Sequence, residues 1–325
     1  MEPLVYTHSG DFHVDEMVAI GLLQAFAFPG RFLDVVRTRD PKKLAEAQAN
    51  PEIFVIDVGR EHDGGRLNFD HHQASMTDGW EDGTPYSSCG LIWQWLKGRG
   101  LLNDLAAEER AIIERDLIRP IDTHDNGGVK WPQAAVFRLY NRTGASEADM
   151  NTQFHKALEM AKDLVTNQVH QARVDYRAEV GLRKAWDESQ ELYDHGIVVV
   201  RDHLENRSSA SILAKVSDGQ ASLMLYPQSL SRNNKAWFVR ALAPAPNSHE
   251  LRFPLPTEWR GLEDHTLMLG ETPVAIKFVH KSGFLAKVEG TLEDALTLAT
   301  AALEHPENVL TAMPMLAKPR KRFPR

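Results

Sequence analysis

The chain has 325 residues, of which 42% are hydrophobic and 25% charged, with a formal net charge of −8. This composition is that of a globular protein long enough for two domains, and its acidity argues against a protein that coats nucleic acid through bulk positive charge. The single cysteine, Cys89, excludes an intramolecular disulfide framework and fits a reducing compartment. The apolar runs are too short to span a bilayer and no secretory signal is visible, so we expect a cytoplasmic protein with no membrane partner.

The amino-terminal part alternates strand-like and helix-like segments. Strands are predicted at 4–7, 32–37 and 53–58, and helices at 16–28 and 41–50. Asp40 and Pro41 supply the cap and the first position of the second helix. Strand and helix alternating at this spacing indicate parallel βαβ units, and such sheets bind ligands beyond the carboxyl ends of their strands.

The middle of the chain is predicted to be helical and polar. Residues 74–86 form a surface loop, and Ser87 and Ser88 cap the helix that follows. Another helix is predicted at 103–119, where Pro120 ends it. The next segment, 121–127, is predicted to be a polar turn rich in possible ligands.

The carboxyl-terminal part begins with a long helix and then becomes β-rich. The helix opens at Ser146, with Asp149 completing a capping box, and continues toward Trp186. We interpret it as a connector, with a domain boundary near 185–195. Four β-rich segments follow, then a helix capped by Thr291, and finally a basic tail; the β-rich segments are 196–201, 222–227, 237–243 and 274–280.

Asp and His residues recur where the predicted strands and turns end. Asp70, His71 and His72 are consecutive, so only a loop lets all three converge on one point. Carboxylates and imidazoles together suit Mn²⁺, Zn²⁺ or Fe²⁺. The alternatives are a polar loop with surface histidines and, for Asp15, a helix cap. Four segments carry such residues: His8, His13 and Asp15; Asp57; Asp70, His71 and His72; Asp122 and Asp125.

These residues lie in motifs that resemble a known family. The Asp-His-His sequence is similar to that of the DHH phosphoesterase superfamily. The wider set more closely resembles the melanocyte-proliferating-gene (Myg) family, which includes a 3′-to-5′ RNA exonuclease. The motifs are Thr7-His8-Ser9-Gly10, Phe12-His13, Asp15-Glu16, Phe69-Asp70-His71-His72-Gln73, Gly90-Leu91-Ile92, Ile121-Asp122, Asp125-Asn126-Gly127, Trp259-Arg260-Gly261-Leu262 and Phe278-Val279-His280-Lys281-Ser282-Gly283-Phe284.

The resemblance implies two divalent metal ions, Mn²⁺ in the first instance, with Zn²⁺, Fe²⁺ or Mg²⁺ as alternatives. It implies His72 as the catalytic group facing the substrate phosphate and Asp70 as the carboxylate that orients an imidazole. His13 is a departure, because many DHH enzymes have aspartate there, and a neutral imidazole shifts preference toward Zn²⁺ or Fe²⁺. Whether Asp122 or Asp125 is the ligand stays open. The implied ligands are His8, His13 and Asp57 for one ion and Asp15, Asp57, His71 and Asp122 for the other.

The resemblance also implies an α/β architecture in two parts. A DHH-phosphoesterase-like parallel sheet domain, 1–190, is joined by the long helix to a smaller α+β domain, 191–315, followed by the tail at 316–325. The second domain is expected to supply contacts to the substrate phosphate. The alternative is that these side chains are ordinary solvated charges on the surface. These contacts are Arg232, Lys235, Arg260, His280, Lys281 and Ser282.

Three functions remain compatible with the sequence. The first is a two-metal phosphoesterase, a 3′-to-5′ exoribonuclease or oligonucleotide hydrolase, in which two cations stabilise the attacking and leaving oxygens. The second is a phosphohydrolase of a small phosphate or pyrophosphate compound. The third is a metal-binding protein without activity. RNA or a short oligonucleotide is therefore the expected partner, and a homodimer is left open.

Overall fold

The computed structural model describes residues 2–201, 209–231, 233–246 and 248–308. The chain forms two compact units, Met1–Arg173 and Val174–Arg325. Arg232 and the predicted basic tail lie outside the described residues. Among the helices of the described part, none combines the length and apolar character that a membrane crossing requires.

The first unit is organised around a five-stranded sheet with the order β2-β1-β3-β5-β4. All pairings are parallel except that of β4 with β5, so the predicted parallel βαβ arrangement is confirmed. Leu4 pairs with Asp34 on one side and with Ile53 on the other. The strands are β1 (Leu4–Thr7), β2 (Asp34–Arg37), β3 (Ile53–Ile56), β4 (His62–Asp63) and β5 (Asn68–Phe69).

Six helices lie wholly within the first unit, and a seventh begins there. Every residue of α1 is buried, and Asp40 caps α2 by accepting hydrogen bonds from the backbone of Lys42 and Lys43, as predicted. The long helix α7 crosses the division between the units, whereas the sequence places the boundary at its end, which stays a prediction. The helices are α1 (Val14–Leu22), α2 (Pro41–Ala49), α3 (Ser88–Gly98), α4 (Ala107–Ile113), α5 (Arg119–Asp125), α6 (Ala134–Arg138) and α7 (Glu147–Leu192).

Pro120 does not end a helix, as the sequence predicts, but lies in the first turn of α5. A π-helical turn, Glu114–Ile118, precedes it and links α4 to α5. Proline lacks a backbone N–H, and its ring clashes with the carbonyl four residues earlier in a regular helix. The wider π turn changes that spacing, so the helix continues and the predicted polar turn at 121–127 is mostly helical.

The order of the strands defines where a ligand is expected. From β1 the chain moves outward to β2, and then returns to form β3 on the opposite side of β1. Such a reversal opens a crevice at the carboxyl ends of the strands involved. His8 follows β1 and Asp57 follows β3, so both residues lie at this crevice, and Asp70 follows the neighbouring β5.

The second unit contains a six-stranded sheet with the order β6-β7-β8-β11-β10-β9. Only β6 and β7 are parallel. Helix α9 (Leu292–Glu304) buries Leu298, Ala299 and Ala302 in the core of this unit, whereas α8 (Ser209–Val216) packs with Leu182 of α7 in a separate cluster. The strands are β6 (Ile197–Val199), β7 (Leu223–Pro227), β8 (Ala236–Ala241), β9 (Glu263–Leu269), β10 (Thr272–Val279) and β11 (Leu285–Glu289).

Candidate metal centre

His8 and Asp57 meet at the crevice between β1 and β3. His8 Nε2 lies 3.2 Å from Asp57 Oδ2 and 3.1 Å from Glu16 Oε1. The Oγ of Ser88, at the start of α3, donates a hydrogen bond of 3.0 Å to Asp57 Oδ1. His8, Glu16 and Asp57 are all buried, so three elements fix a compact set of imidazole and carboxylate groups.

The start of α1 supplies two further side chains, His13 and Asp15. The backbone N–H of His13 donates to both carboxylate oxygens of Glu16, each at 2.9 Å, which closes the first turn of the helix. Asp15 is fully buried, yet neither of its carboxylate oxygens has a hydrogen-bond partner among the described residues. A buried carboxylate without hydrogen bonds is costly when it is ionised, so either a proton or a cation must offset the charge of Asp15.

The Asp-His-His sequence directs its two imidazoles to different groups. His71 Nε2 lies 3.3 Å from Asp57 Oδ1, 3.2 Å from Asp125 Oδ2 and 3.9 Å from Asp15 Oδ2. His72 Nδ1 instead donates to Asp70 Oδ1 at 2.7 Å. Asp70 is itself held because it accepts the backbone N–H of Arg60 at 2.6 Å.

The carboxylate of Asp122 is engaged in hydrogen bonds with neighbouring protein groups. Its carboxylate accepts hydrogen bonds from Trp80 Nε1 at 2.7 Å, Ser87 Oγ at 2.7 Å, and the backbone N–H groups of Ser87 and Gly90, each at 3.0 Å. A Cβ atom on Gly90 would overlap this carboxylate. Asp122 therefore anchors the start of α3 and the loop that carries Trp80, and Asp125, one helical turn later, is the aspartate that lies beside His71.

The described residues contain three groups of possible metal ligands, and within each group the ligand atoms lie within 4.8 Å of one another. Imidazole nitrogens and carboxylate oxygens are the donors that divalent transition metals accept. Together with the unpartnered carboxylate of Asp15, this donor chemistry fits a metal ion. The groups are His8, His13, Glu16 and Asp57; Asp57, His71 and His72; His13, Asp15 and Asp125.

The pKa values of these groups reflect crowded negative charge. Burial, followed by the charges of Asp57 and Asp125, raises the pKa of Asp15 well above its usual range. Burial opposes protonation of His8, but hydrogen bonds with Asp57 and Glu16 raise its pKa to about 10. Protons thus supply the positive charge that a bound cation would otherwise provide, which is how metal binding comes to release protons.

The backbone after β3 is strained at the same place. Asp57 has a φ of 58° and Arg60 a φ of 54°, in the left-handed region that L-residues rarely adopt. Such strain persists only where the surroundings determine the conformation, and it is concentrated at functional sites. Here the hydrogen bonds of Ser88 to Asp57 and of Arg60 to Asp70 hold the loop.

The predicted phosphate-binding residues of the second unit form one cluster and one outlier. Arg260 Nε donates to the carbonyl of Leu255 at 2.9 Å, beside the turn that joins β10 to β11. In that turn His280 Nδ1 lies 2.7 Å from Ser282 Oγ, and Lys281 is exposed. We call Arg260, His280, Lys281 and Ser282 the cation cluster.

Lys235 lies apart from the cation cluster. It immediately precedes β8 and its carbonyl accepts the backbone N–H of Gly290, whereas the other end of β8, at Arg240, pairs with Leu285 beside the turn. Lys235 and Arg240 are five residues apart along this extended segment, a distance of about 17 Å. The structure therefore does not bring Lys235 together with the other predicted contacts.

Sequence reasoning assigned no role at this site to Glu16, Ser88 and Trp80. Glu16 follows Asp15 directly, and its position three residues after a helix cap is the signal of a capping box. Asp125 was left open as an alternative to Asp122, and only the tertiary contacts of α5 place Asp125 beside His71. Ser88 and Trp80 have no separate sequence signal, since their contacts with Asp57 and Asp122 join distant segments.

Comparison with known proteins gives a match over most of the chain. Residues 4–303 match the MYG1 exonuclease family model, described as an uncharacterised protein family (UPF0160). The MYG1 exonuclease of Homo sapiens is 30% identical over 344 residues, covering 93% of this chain and 86% of the relative. A MYG1 protein of Schizosaccharomyces pombe is also 30% identical, covering 94% and 98% respectively.

A solved structure was also matched. RecJ of Thermus thermophilus in complex with Mn²⁺ gives a TM-score of 0.27 at 16% identity. The match covers 97% of this chain, which spans 56% of the RecJ chain. A TM-score this low does not establish a common fold.

Proposed function

The chain belongs to the MYG1 exonuclease family, and from this premise we propose that it is a metal-dependent hydrolase of phosphodiester bonds. In the finer form of the proposal, it removes nucleotides from the 3′ end of RNA or short oligonucleotides with two divalent cations. The observation that carries the proposal is the buried set of carboxylates and imidazoles at the crevice, with both oxygens of Asp15 unpaired.

Two sets of ligands follow from the contacts. His8, His13, Glu16 and Asp57 would hold one cation. Asp15, His71 and Asp125 would hold the other, with Asp57 between the two sets because it contacts both His8 and His71. Bound cations such as Mn²⁺ would supply Lewis-acid stabilisation of the charge that develops on the phosphoryl oxygens.

His72 and Asp70 are proposed to act on the substrate. His72 Nδ1 donates its hydrogen bond to Asp70, which leaves Nε2 available on a side chain that is 55% exposed. An imidazole oriented by a carboxylate is the usual arrangement of an acid–base catalyst. Asp70 acts through His72 and is a positioning residue.

Hydrolysis at the 3′ end requires a defined set of bond changes. The oxygen of water forms a bond to phosphorus, and the bond from phosphorus to the 3′ oxygen of the preceding nucleotide breaks. The attacking water gives up one proton to solvent, and the departing 3′ oxygen takes one proton, for which His72 is the proposed donor. His72 regains its proton from solvent, and a nucleoside 5′-monophosphate is released. Atoms balance with water as the only co-reactant.

The cavity at the crevice also supports a second candidate, a small-molecule phosphohydrolase. It measures about 190 Å³ and is lined by His8, His13, Asp57 and His72 together with Arg39 and Arg60. This volume lies below the usual range of sites for drug-sized ligands and suits one phosphate group. Pyrophosphate is therefore the competing substrate that an assay must include.

The test compares RNA labelled at the 5′ end, RNA labelled at the 3′ end, and pyrophosphate, with protein loaded with Mn²⁺. The proposal predicts release of a labelled mononucleotide from the 3′ end at the first turnover. His72→Ala should retain metal and lose activity by roughly 10²–10⁴-fold, whereas His71→Ala should lose metal. Release from the 5′ end, or hydrolysis of pyrophosphate alone, would replace the proposal with another reaction.

A further inference from the structure

A second cavity adjoins the metal centre within the first unit. It has a volume of about 330 Å³, which falls at the lower end of the range for small-molecule sites. His13 lines both this cavity and the smaller one at the crevice. Asp125 lines the larger cavity. The cavity therefore begins at the side chains proposed to bind metal.

The walls of this cavity are aromatic. Phe12, Trp131 and Phe137 contribute to them and are only 1%, 9% and 3% exposed, so their positions are fixed by packing. Because so little of each ring is accessible, these side chains form an immobile apolar floor that a ligand can contact without ordering them further.

The rim of the cavity is cationic. Lys130 and Arg138 line it, and both are exposed. Neither forms an ion pair with any residue in the described part of the chain. His124, for which the sequence suggested no role, also lines the cavity. Its Nδ1 accepts the backbone N–H of Trp131 at 3.3 Å, so the neutral ring carries its proton on Nε2 and keeps a donor.

We propose that this cavity binds the terminal nucleoside of the substrate, with the base against Phe12, Trp131 and Phe137 and its 5′ phosphate at the metal centre. The proposal rests on the function proposed above and specifies its substrate class. An apolar cavity with cations at its rim matches an uncharged ring attached to an anion, and pyrophosphate has no group that would fill it.

The test is a pair of substitutions at neighbouring positions of α6. Ala135 lines the cavity and is exposed, so Ala135→Trp places a large side chain in it without removing a proposed ligand. Val136 is 48% exposed and does not line the cavity, so Val136→Trp is the matched control. Metal content and thermal unfolding are measured for both variants.

Binding is measured by titration calorimetry on protein loaded with Mn²⁺. Wild-type protein should bind adenosine 5′-monophosphate more tightly than inorganic phosphate. Ala135→Trp should weaken the binding of the nucleotide about tenfold or more, because the indole would occupy the volume that the base needs. Its affinity for inorganic phosphate should not change, and Val136→Trp should bind both as the wild type does.

Three results of these binding measurements would each overturn the proposal. Unchanged nucleotide affinity in Ala135→Trp, an equal loss in Val136→Trp, or no preference of the wild type for the nucleotide over phosphate overturns it. Should Ala135→Trp fail to fold, Ala135→Leu replaces it, with the same direction and a smaller effect.

The failure of this inference is distinguishable from that of the proposed function. If the wild type degrades RNA while Ala135→Trp binds the nucleotide normally, the hydrolase proposal stands and the cavity has another role. If the substitution weakens nucleotide binding while the wild type cleaves no phosphodiester, the nucleoside site stands and the proposed reaction is wrong.

Discussion

In the first unit, four of the side chains proposed to bind metal are buried, namely His8, Asp15, Glu16 and Asp57. In the second unit, the cation cluster lies around an exposed hairpin turn. Asp15, Glu16 and Asp57 are almost inaccessible to solvent. Lys281 is exposed, and His280 contacts its own neighbour Ser282. The two regions thus differ in how much their charged groups reduce the free energy of unfolding.

The buried carboxylates of the metal centre need compensating positive charge, whereas the exposed residues of the cation cluster need no partner. Burying several carboxylates without partners costs several kcal/mol per group, so such a cluster persists only where a cation or protons offset the charge. Exposed cations cost the fold little and gain little from neighbours. The metal centre therefore needs cations or protons to offset its charge, whereas the cation cluster makes no such demand on the fold.

The largest effect is expected at Asp57, which contacts His8, His71 and Ser88. Asp57→Asn removes the charge shared by both proposed ligand sets, so both metal ions should be lost, with activity reduced by more than the 10–100-fold typical of indirect metal contacts. Plasma emission analysis of metal content is the measurement. Asp11→Asn, an exposed residue of the neighbouring loop, is the control, and full occupancy in Asp57→Asn would contradict the assignment.

A second pair of variants distinguishes the two aspartates of α5. Asp125→Asn should lose metal because Asp125 lies beside His71. Asp122→Asn should keep metal, because its carboxylate already accepts four hydrogen bonds from Trp80, Ser87 and Gly90. Metal analysis of both proteins after dialysis is the measurement. Loss of metal from Asp122→Asn with retention in Asp125→Asn would restore the ligand set that the family resemblance implies.

The sequence predicted best what depends on local signals. The cap of α2 at Asp40 and the parallel order of β1, β2 and β3 follow from caps and periodicity that lie within single segments. Pro120 was read incorrectly because the π turn that accommodates it depends on packing of the preceding helix. Strands β9 and β11 were missed because their exposed or partly buried faces leave a weaker hydrophobic pattern.

The sequence predicted which residues belong to the candidate metal centre, but not which of them contact one another. The residues that follow the predicted strands at 4–7 and 53–58 were expected to lie at one edge of a parallel sheet, and His8 and Asp57 do so. His71 lies beside Asp57, although the strand β5 that precedes it was not predicted. The choice between Asp122 and Asp125 was not accessible, since residues three apart lie on one face of a helix and only tertiary contacts select between them.

A smaller effect is expected in the second unit. Lys281→Ala removes one exposed cation, and loss of a charge-assisted phosphate contact costs roughly 1.5–3 kcal/mol, or about ten- to a hundredfold in the Michaelis constant. Metal content should not change. Lys235→Ala, at the far end of β8, is the matched control and should have no effect. Steady-state kinetics on RNA would show equal constants for both variants if the cation cluster has no part in binding.

The last prediction concerns stability and leaves activity aside. Burial outweighs the donors around Asp122 and raises the pKa of its carboxyl to about 6. A folded state that holds this proton more tightly than the unfolded chain loses stability as pH rises from about 4 to about 6. The expected loss is at most about 3 kcal/mol, and above this window it stays constant.

Asp122→Asn lacks the titrating group, so the difference in unfolding free energy, variant minus wild type, should increase across this pH window. Chemical denaturation between pH 4 and pH 7 with a chelator present is the measurement. The chelator removes the contribution of metal binding, and the groups of the metal centre titrate in both proteins. Parallel pH dependences would show that the four hydrogen bonds, rather than burial, determine the ionisation of Asp122.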